Sequence, residues 1–164
     1  MGFIREVFHK KYLNLWNRKK LHLVDPWQYH QEEIYQKSWY GGKVGKNQQE
    51  MNTRYQLVTQ MFADEIKSGQ VEIHRDFSNN ICQDFADNYF DWIYIDGNHL
   101  YEYVKQDLEL YYGKVKTGGL ITGDDYFQGG WWNGGVVKAV NEFVINYNLH
   151  VVLIQTGQYI LQKL

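Results

Sequence analysis

The segment FDWIYIDGNH, residues 90–99, decides the fold class. It holds a mostly apolar run of strand length between two acids, Asp91 and Asp96, and glycine and polar residues typical of a turn follow it. A helical pattern comes next, and then a second apolar run, residues 120–122, that ends in Asp124 and Asp125. Because strands that alternate with helices form a mainly parallel sheet, the segment predicts an α/β protein.

The same alternation continues in both directions along the chain. The predicted strands are residues 21–24, 71–73, 91–96 and 120–122, with a final pair, 150–154 and 159–161, joined by a hairpin at Thr156-Gly157. The predicted helices are residues 3–19, 47–67, 79–87, a helix that carries Val104 to Val115 and closes at Thr117 to Gly119, and 136–147. Residues 28–46 are predicted to form a mobile loop. The pattern therefore predicts a Rossmann-like three-layer sandwich with a carboxyl-terminal antiparallel hairpin.

Composition narrows the function classes. The 164 residues are 44% hydrophobic and 22% charged, with a net charge of −2, and they predict a single domain spanning residues 1–164. No run of Lys and Arg suits nucleic acid or an anionic membrane, and no apolar run is long enough to span a bilayer. The single cysteine, Cys82, indicates a reducing, cytoplasmic setting. Composition therefore argues against a dedicated nucleic-acid or membrane-surface binder.

Acids collect at the predicted strand ends. Asp25 follows the first predicted strand, Asp76 the second, Asp96 the third, and Asp124 and Asp125 the fourth. In open α/β sheets, ligands bind beyond the carboxyl ends of the strands. Five acids at one edge are more than random placement would give, so the sequence predicts a binding site there.

Several of these pieces together resemble a known family. Residues 90–99, Tyr101, Asp107-Leu108 and the segment GGLITGDDY, residues 118–126, are similar to small class I S-adenosylmethionine-dependent methyltransferases, whose members include metal-dependent sugar and macrolide O-methyltransferases. The segment LVDPW, residues 23–27, resembles the second strand of that family with its acidic exit. The resemblance implies S-adenosylmethionine as cofactor and O-methylation of a small hydroxylated molecule such as a sugar.

The resemblance also implies which residues would bind the cofactor. Asp25, with Trp27 beside it, would hold the ribose hydroxyls, because a carboxylate accepts two hydrogen bonds from a vicinal diol. Asp76 and Ser78 would lie beside the adenine, and Asp96 would also face the cofactor. Other readings stay open: Asp25 can serve as a turn residue before Pro26, and Asp76 and Ser78 can cap the helix that follows them.

A divalent metal and a general base complete the expected site. If the strands that carry Asp96 and Asp124 are neighbours, they lie about 4.8 Å apart, so Asp96, Asp124 and Asp125 can converge on one ion such as Mg²⁺. His99 is the candidate base, because imidazole titrates near neutral pH. Some relatives carry an acid where Asn98 stands, and an amide cannot take a proton. The alternatives are a metal-free acidic edge and a helix-start histidine.

The front of the chain departs from the family pattern. No strand and no glycine-rich turn precede the predicted first helix, so the sequence predicts an amino-terminally truncated domain whose first, central strand is absent. There are three explanations. The sequence is a fragment, a second copy in a homodimer completes the sheet, or the strands that end at Asp25 and Asp96 pair directly.

The alternative function is a non-catalytic interaction or scaffold domain. A nucleotide-binding oxidoreductase is disfavoured because no dinucleotide fingerprint is present.

Overall fold

The computed structural model describes residues 20–38, 40 and 45–164. The predicted helix 3–19 lies outside the described residues, as does part of the predicted loop 28–46. The chain divides into two compact units, Met1–Phe77 and Ser78–Leu164, which are described one at a time. Within the described ranges, no helix has both the length and the apolar character that a membrane span requires.

The first unit is built on two parallel strands. Strand β1 (Leu21–Val24) pairs with β2 (Val71–His74), and His22 lies opposite Glu72 in the register. A 3₁₀ helix (Glu33–Lys37) lies within the predicted loop, and helix α1 (Gln48–Met61) begins where the Asn47 side chain accepts a hydrogen bond from the backbone N–H of Glu50. The buried core of this unit consists of Trp27, Met51, Val58, Phe62 and Val71.

The predicted helix 47–67 is interrupted at one residue. Phe62, with φ −104° and ψ 20°, separates α1 from a short helix α2 (Ala63–Lys67). The interruption places the Phe62 side chain fully inside the core of the unit. Gly69 then ends α2 in a left-handed conformation at φ 77°, and its N–H bonds to the Ile66 carbonyl, as the sequence predicts.

The second unit contains a mixed sheet of four strands in the order β3-β4-β6-β5. Strand β3 (Phe90–Ile95) runs parallel to β4 (Val115–Gly123), while β6 (Gln158–Gln162) runs antiparallel to both β4 and β5 (His150–Gln155). Thr156 and Gly157 have φ values of 52° and 82°, which is the geometry of a two-residue type I′ hairpin. The predicted alternation and the terminal hairpin are confirmed.

Three helices complete the second unit: α3 (Ser78–Ile81), α4 (Tyr101–Tyr112) and α5 (Gly135–Tyr147). A 3₁₀ turn (Cys82–Asp84) follows α3, so the predicted helix 79–87 is shorter than expected. The largest fully buried side chains of this unit come from α4, α5 and the central strands: Leu108, Val115, Ile121, Val140, Tyr159 and Leu161.

One predicted helix end is wrong, and one of the three explanations for the absent strand is not found. Helix α4 ends at Tyr112 rather than at residues 117–119, because Val115 is fully buried as the first residue of β4 and lies opposite Phe90. Gly118, at φ 78°, lies in the register shift that follows this first pair of residues. Direct pairing of the strands that end at Asp25 and Asp96 is also not found, since the described strands form the separate sheets β1-β2 and β3-β4-β6-β5.

Candidate active site at the ends of β3 and β4

Two acidic strand ends meet in the second unit. Ile95 at the end of β3 lies opposite Gly123 at the end of β4, so Asp96 and Asp124 follow neighbouring positions of paired strands. This pairing confirms the expectation that these two strands are adjacent. A small pocket opens here, lined by Ile95, Asp96, Gly97, Asn98, His99, Val104, Asp124, Val136 and Tyr159.

His99 lies between two carboxylates. Its Nε2 atom is 3.6 Å from Asp96 Oδ1, and its Nδ1 atom is 3.2 Å from Asp125 Oδ2. The three side chains are 13–19% exposed, so solvent screens their charges less than it would at the surface. Nδ1 is buried and not aligned for a hydrogen bond to any described residue, so its contact with Asp125 is electrostatic. We call Asp96, His99 and Asp125 the strand-end cluster.

Turns rather than strands hold this cluster. Asp125 has φ 58°, a left-handed conformation that aspartate tolerates, and its backbone N–H donates to Asp124 Oδ1 at 2.7 Å. Asn98 Oδ1 accepts the N–H of Leu100 at 3.1 Å, which fixes the turn that carries His99 into α4. Asn98, which stands where some relatives have an acid, therefore holds the loop in position through its side-chain amide.

The start of α5 packs tightly on the His99 loop. A Cβ atom at Gly135 would lie 2.6 Å from the carbonyl oxygen of His99 and 2.7 Å from the backbone nitrogen of Tyr101. Both atoms belong to the backbone, so no side-chain rotation could relieve the contact. Glycine at this position lets α5 approach the loop and fixes where the imidazole stands.

Aromatic rings surround the imidazole. Trp131 stacks on the His99 ring at 5.9 Å and 22°, and Trp132 meets its edge at 5.0 Å and 84°. Phe127 packs edge-on against Trp132 at 5.0 Å and is 45% exposed. The indole nitrogen of Trp132 is buried and has no hydrogen-bond partner among the described residues. These rings form an apolar wall beside the cluster, with one buried donor.

Tyr159 on β6 also lines the pocket. Its hydroxyl is buried and makes no hydrogen bond within the described part of the chain. Gly123 leaves room for this hydroxyl, since a side chain there would overlap it. Burial, and secondarily the nearby Asp107 carboxylate, raises the pKa of Tyr159, so the phenol stays protonated and can donate to a bound molecule.

Asp107 is a partly buried acid of this unit, and sequence reasoning assigned it no role. Burial raises the pKa of Asp107 to about 6, and the Ser78 hydroxyl, which donates to Asp107 Oδ1 at 2.5 Å, offsets part of that effect. A Cβ atom at Gly97 would lie 3.4 Å from Asp107 Oδ2, so this carboxyl stands directly behind the loop of the pocket. Its position on the buried stripe of α4, three residues after Val104, is the signal that sequence reasoning could have used.

The residues expected at the cofactor have other partners in the structure. Asp25 Oδ1 accepts the backbone N–H of Trp27 at 2.5 Å and the hydroxyl of Tyr40. Trp27 is buried in the core of the first unit, edge-on to Tyr55 at 5.1 Å.

Asp76 Oδ1 accepts the N–H of Phe77 at 2.7 Å. Ser78 begins α3 and donates to Asp107, as described above. None of these contacts tests the expected cofactor roles of Asp25, Trp27, Asp76, Ser78 and Asp96, which stay predictions. The same holds for the metal expected at Asp96, Asp124 and Asp125.

The fold and the acidic strand ends define an α/β protein of the Rossmann-like class. Residues 9–126 match the sequence model of a family described as "Methyltransferase domain", and this match covers well over half of the chain. The chain therefore belongs to that family, the class I S-adenosylmethionine-dependent methyltransferases.

Several known proteins are similar to this chain, which spans less than one third of the curated relative and about two thirds of the solved structures. The uncharacterized protein R132 of Acanthamoeba polyphaga mimivirus is 41% identical over 76 residues, which are 46% of this chain and 31% of R132. Among solved structures, the calicheamicin methyltransferase CalS11 aligns over 98% of this chain and 66% of its own, with 11% identity and a TM-score of 0.60. The O-methyltransferase NovP aligns over 99% of this chain and 66% of its own, with 16% identity and a TM-score of 0.55. At these identities, the two structures show the fold.

Proposed function

We propose that this protein transfers a methyl group from S-adenosylmethionine to a hydroxyl oxygen of a small molecule such as a sugar. The observation that carries the proposal is the strand-end cluster. In it, the His99 imidazole stands 3.6 Å from Asp96 and 3.2 Å from Asp125, at a pocket on the carboxyl edge of the sheet. Family membership and the likeness to CalS11 and NovP support the same reaction class.

The acids at the strand ends of the first unit fit the cofactor. Asp25 follows β1 and Asp76 follows β2, and carboxylates accept hydrogen bonds from the hydroxyl and amino groups of an adenosine. When bound, S-adenosylmethionine supplies a sulfonium methyl group that an oxygen can attack with release of a neutral thioether.

His99 would accept the proton of the acceptor hydroxyl. The neighbouring carboxylates would stabilise the imidazolium that forms, since opposite charges within about 4 Å favour the charged state of each other. A positioned base of this kind contributes about 10²–10⁴-fold to a rate. The rings of Trp131 and Trp132 would cover the site and pack on the flat apolar face of a sugar or an aromatic ring.

A divalent cation is a second role for the same cluster. One ligand atom from each of Asp96, His99 and Asp125 lies within 4.8 Å of the others, which is close enough for one ion. Two carboxylates suit Mg²⁺, whereas an imidazole suits Fe, Ni, Cu or Zn better. Such an ion would act as a Lewis acid on the acceptor oxygen. His99 could then serve as its ligand, and Asp124 would remain at the pocket wall.

Calorimetry with S-adenosylhomocysteine tests the proposal. We expect micromolar binding by the unaltered chain, a loss of at least about tenfold in Asp25→Ala, and little change in His99→Gln, because His99 is assigned to the acceptor side. Methyl transfer from labelled S-adenosylmethionine to a panel of methyl glycosides and catechols should fall about 10²–10⁴-fold in His99→Gln. No binding of S-adenosylhomocysteine would overturn the proposal and favour a scaffold domain.

Metal dependence separates the two roles of His99. Turnover that persists in the presence of a chelator and is lost in His99→Gln supports His99 as the base. Turnover that requires added Mg²⁺ or Mn²⁺, with equal loss of metal binding in Asp96→Asn and His99→Gln, supports the cation instead.

A further inference from the structure

A second group of metal-ligating side chains lies in the first unit, on the face of the two-stranded sheet. His22 lies on β1, and Glu72 and His74 lie on β2, with His22 directly opposite Glu72 in the register. Residues two apart on a strand share a face, so all three side chains point to the same side of the sheet. We call these three residues the strand-face cluster.

The ligand atoms of this cluster are already close together. Nδ1 of His22 lies 2.9 Å from Nε2 of His74, and the two rings stack at 5.2 Å. The Glu72 carboxylate lies 3.9 Å from the His22 nitrogen and 3.8 Å from the His74 nitrogen. One ligand atom from each residue thus falls within 4.8 Å of the other two.

These separations match a tetrahedral site. A metal–nitrogen distance of about 2.0–2.1 Å puts two tetrahedral ligands about 3.3 Å apart. The observed nitrogen–nitrogen distance, 2.9 Å, is shorter than that value, and the two oxygen–nitrogen distances, 3.8 and 3.9 Å, are longer. Glu72 Oε2 makes the 3.9 Å contact with His22 and Oε1 the 3.8 Å contact with His74, so a rotation of the carboxylate would present one oxygen to both nitrogens, with the backbone register of β1 and β2 unchanged.

Burial and charge also suit a cation. The His22 and His74 side chains are only 8% and 14% exposed, while Glu72 is 48% exposed and offers a path from solvent. The cluster offers two imidazole nitrogens and one carboxylate, and a metal binds imidazole in its neutral form. Lys20 Nζ, 2.7 Å from Glu72, occupies the carboxylate and would compete with the ion.

We propose that His22, Glu72 and His74 bind a transition-metal dication of the Zn²⁺ class, which links β1 to β2. Two imidazoles and one carboxylate are a donor set that Zn²⁺ accepts, with a fourth position left for water. The ion would join residues that are 52 positions apart in the sequence and belong to a sheet of only two strands. This site is separate from the strand-end cluster and does not depend on the proposed reaction.

Equilibrium dialysis of the full chain against ZnCl₂ measures the stoichiometry. His22→Gln and His74→Gln should each weaken binding at this site at least about tenfold, and Glu72→Gln should weaken it less. His30→Gln, a histidine of the same unit outside the cluster, should leave binding unchanged. His99→Gln, in the strand-end cluster, should also leave the Zn²⁺ bound at the strand-face cluster unchanged.

Three additional measurements keep the outcome decisive. Lys20→Ala should tighten binding several-fold, because it removes the competing cation while leaving all three ligands in place. Cobalt should give tetrahedral visible absorption bands that disappear in His74→Gln. Circular dichroism of each apo variant shows whether it is folded, and Glu72→Gln is the variant least able to disturb folding because Glu72 is exposed.

The proposal is overturned if Zn²⁺ binding is the same in His22→Gln and His74→Gln as in the unaltered chain, or if the chain does not bind Zn²⁺ up to millimolar concentration. Zn²⁺ lost only in His99→Gln would place the ion at the strand-end cluster and would also contradict the proposal.

Discussion

The two histidine clusters use similar residues but are held by different parts of the backbone. The strand-face cluster stands on paired strands, where the register of His22 with Glu72 fixes its geometry. The strand-end cluster stands on turns, with Asp125 in a left-handed conformation and His99 in a loop closed by Asn98. The ladder holds its cluster by backbone pairing alone, whereas the loop of His99 also depends on the close approach of α5 at Gly135. Substitutions away from the ligands should therefore disturb the strand-end cluster more than the strand-face cluster.

The clusters also differ in their exposure to solvent. Glu72, the only carboxylate of the strand-face cluster, is 48% exposed, while Asp96 and Asp125 of the strand-end cluster are 13% and 19% exposed. A proton that moves onto His99 would be stabilised by two shielded carboxylates beside an aromatic wall. The shielded carboxylates suit the proposed proton transfer at the strand-end cluster, and the exposed Glu72 suits the proposed structural ion at the strand-face cluster.

The largest effect away from the ligands is expected at Gly135. In Gly135→Ala, the new methyl group would meet backbone atoms of His99 and Tyr101 at 2.6 and 2.7 Å, so α5 and the His99 loop must separate. We expect the free energy of unfolding to fall by about 1–3 kcal/mol, with a loss of methyl transfer. Urea denaturation measures the first and labelled-methyl transfer the second, and Zn²⁺ binding by the strand-face cluster should not change.

Gly113→Ala is the matched control. Gly113 ends α4 at φ −63° and ψ −25°, which alanine adopts readily, and the nearest atom to its added methyl group is 3.8 Å away. This substitution should raise stability by about 0.4–1 kcal/mol, because it reduces the freedom of the unfolded chain. Equal destabilisation by the two alanines would show that the His99 loop is not held by close packing of α5.

The buried Asp107 should make the second unit less stable as pH rises. Burial raises its pKa from 3.8 to about 6 in the folded chain. Between pH 4 and 6, the folded carboxyl keeps a proton that the unfolded chain has released, so stability falls across this window and levels off above it. Asp107→Asn keeps an acceptor for the Ser78 hydroxyl but cannot ionise, so the free-energy cost of burying a charged carboxylate is absent. It should therefore stabilise the protein at pH 7 by an amount on the order of 2 kcal/mol.

The measurement is urea denaturation at several pH values. The unaltered chain should lose stability from pH 4 to pH 6, and Asp107→Asn should show a flatter profile with the same value near pH 4. Asp87→Asn provides the control, because the Lys114 hydrogen bond lowers the pKa of Asp87 and its titration lies below this window. A profile for Asp107→Asn that parallels that of the unaltered chain would mean that Asp107 is ionised in the folded state at pH 5.

The features that could be predicted from the sequence are those that depend on the local pattern of residues. The mostly apolar run before Asp96 and the one before Asp124 predicted two strands that end in acids, and β3 and β4 are these strands, paired side by side. Tyr159 could not be predicted as a neighbour of the pocket, because its position depends on how β6 packs.

The strand-face cluster was missed for a related reason. Each histidine alone is an ordinary strand residue, and only the pairing of β1 with β2 brings His22 beside His74. The end of α4 was missed because the helical pattern continues through Val115, which tertiary packing assigns to β4.

The smallest effect is expected at the other end of the same strand pair. Lys116 on β4 bonds to Asp91 on β3 at 2.7 Å, but the two side chains are 45% and 70% exposed. Because water screens such a pair and both side chains lose freedom in forming it, Lys116→Ala should change the free energy of unfolding by less than about 1 kcal/mol. Urea denaturation at low and high salt, combined with Asp91→Asn in a double-mutant cycle, measures the coupling energy between the two side chains.

A salt-sensitive coupling energy above about 1 kcal/mol would mean that ion pairing sets the register at the amino ends of these strands. The close packing of Gly135 would then not be the main support of the site, and the contrast between ladder-held and turn-held clusters would weaken.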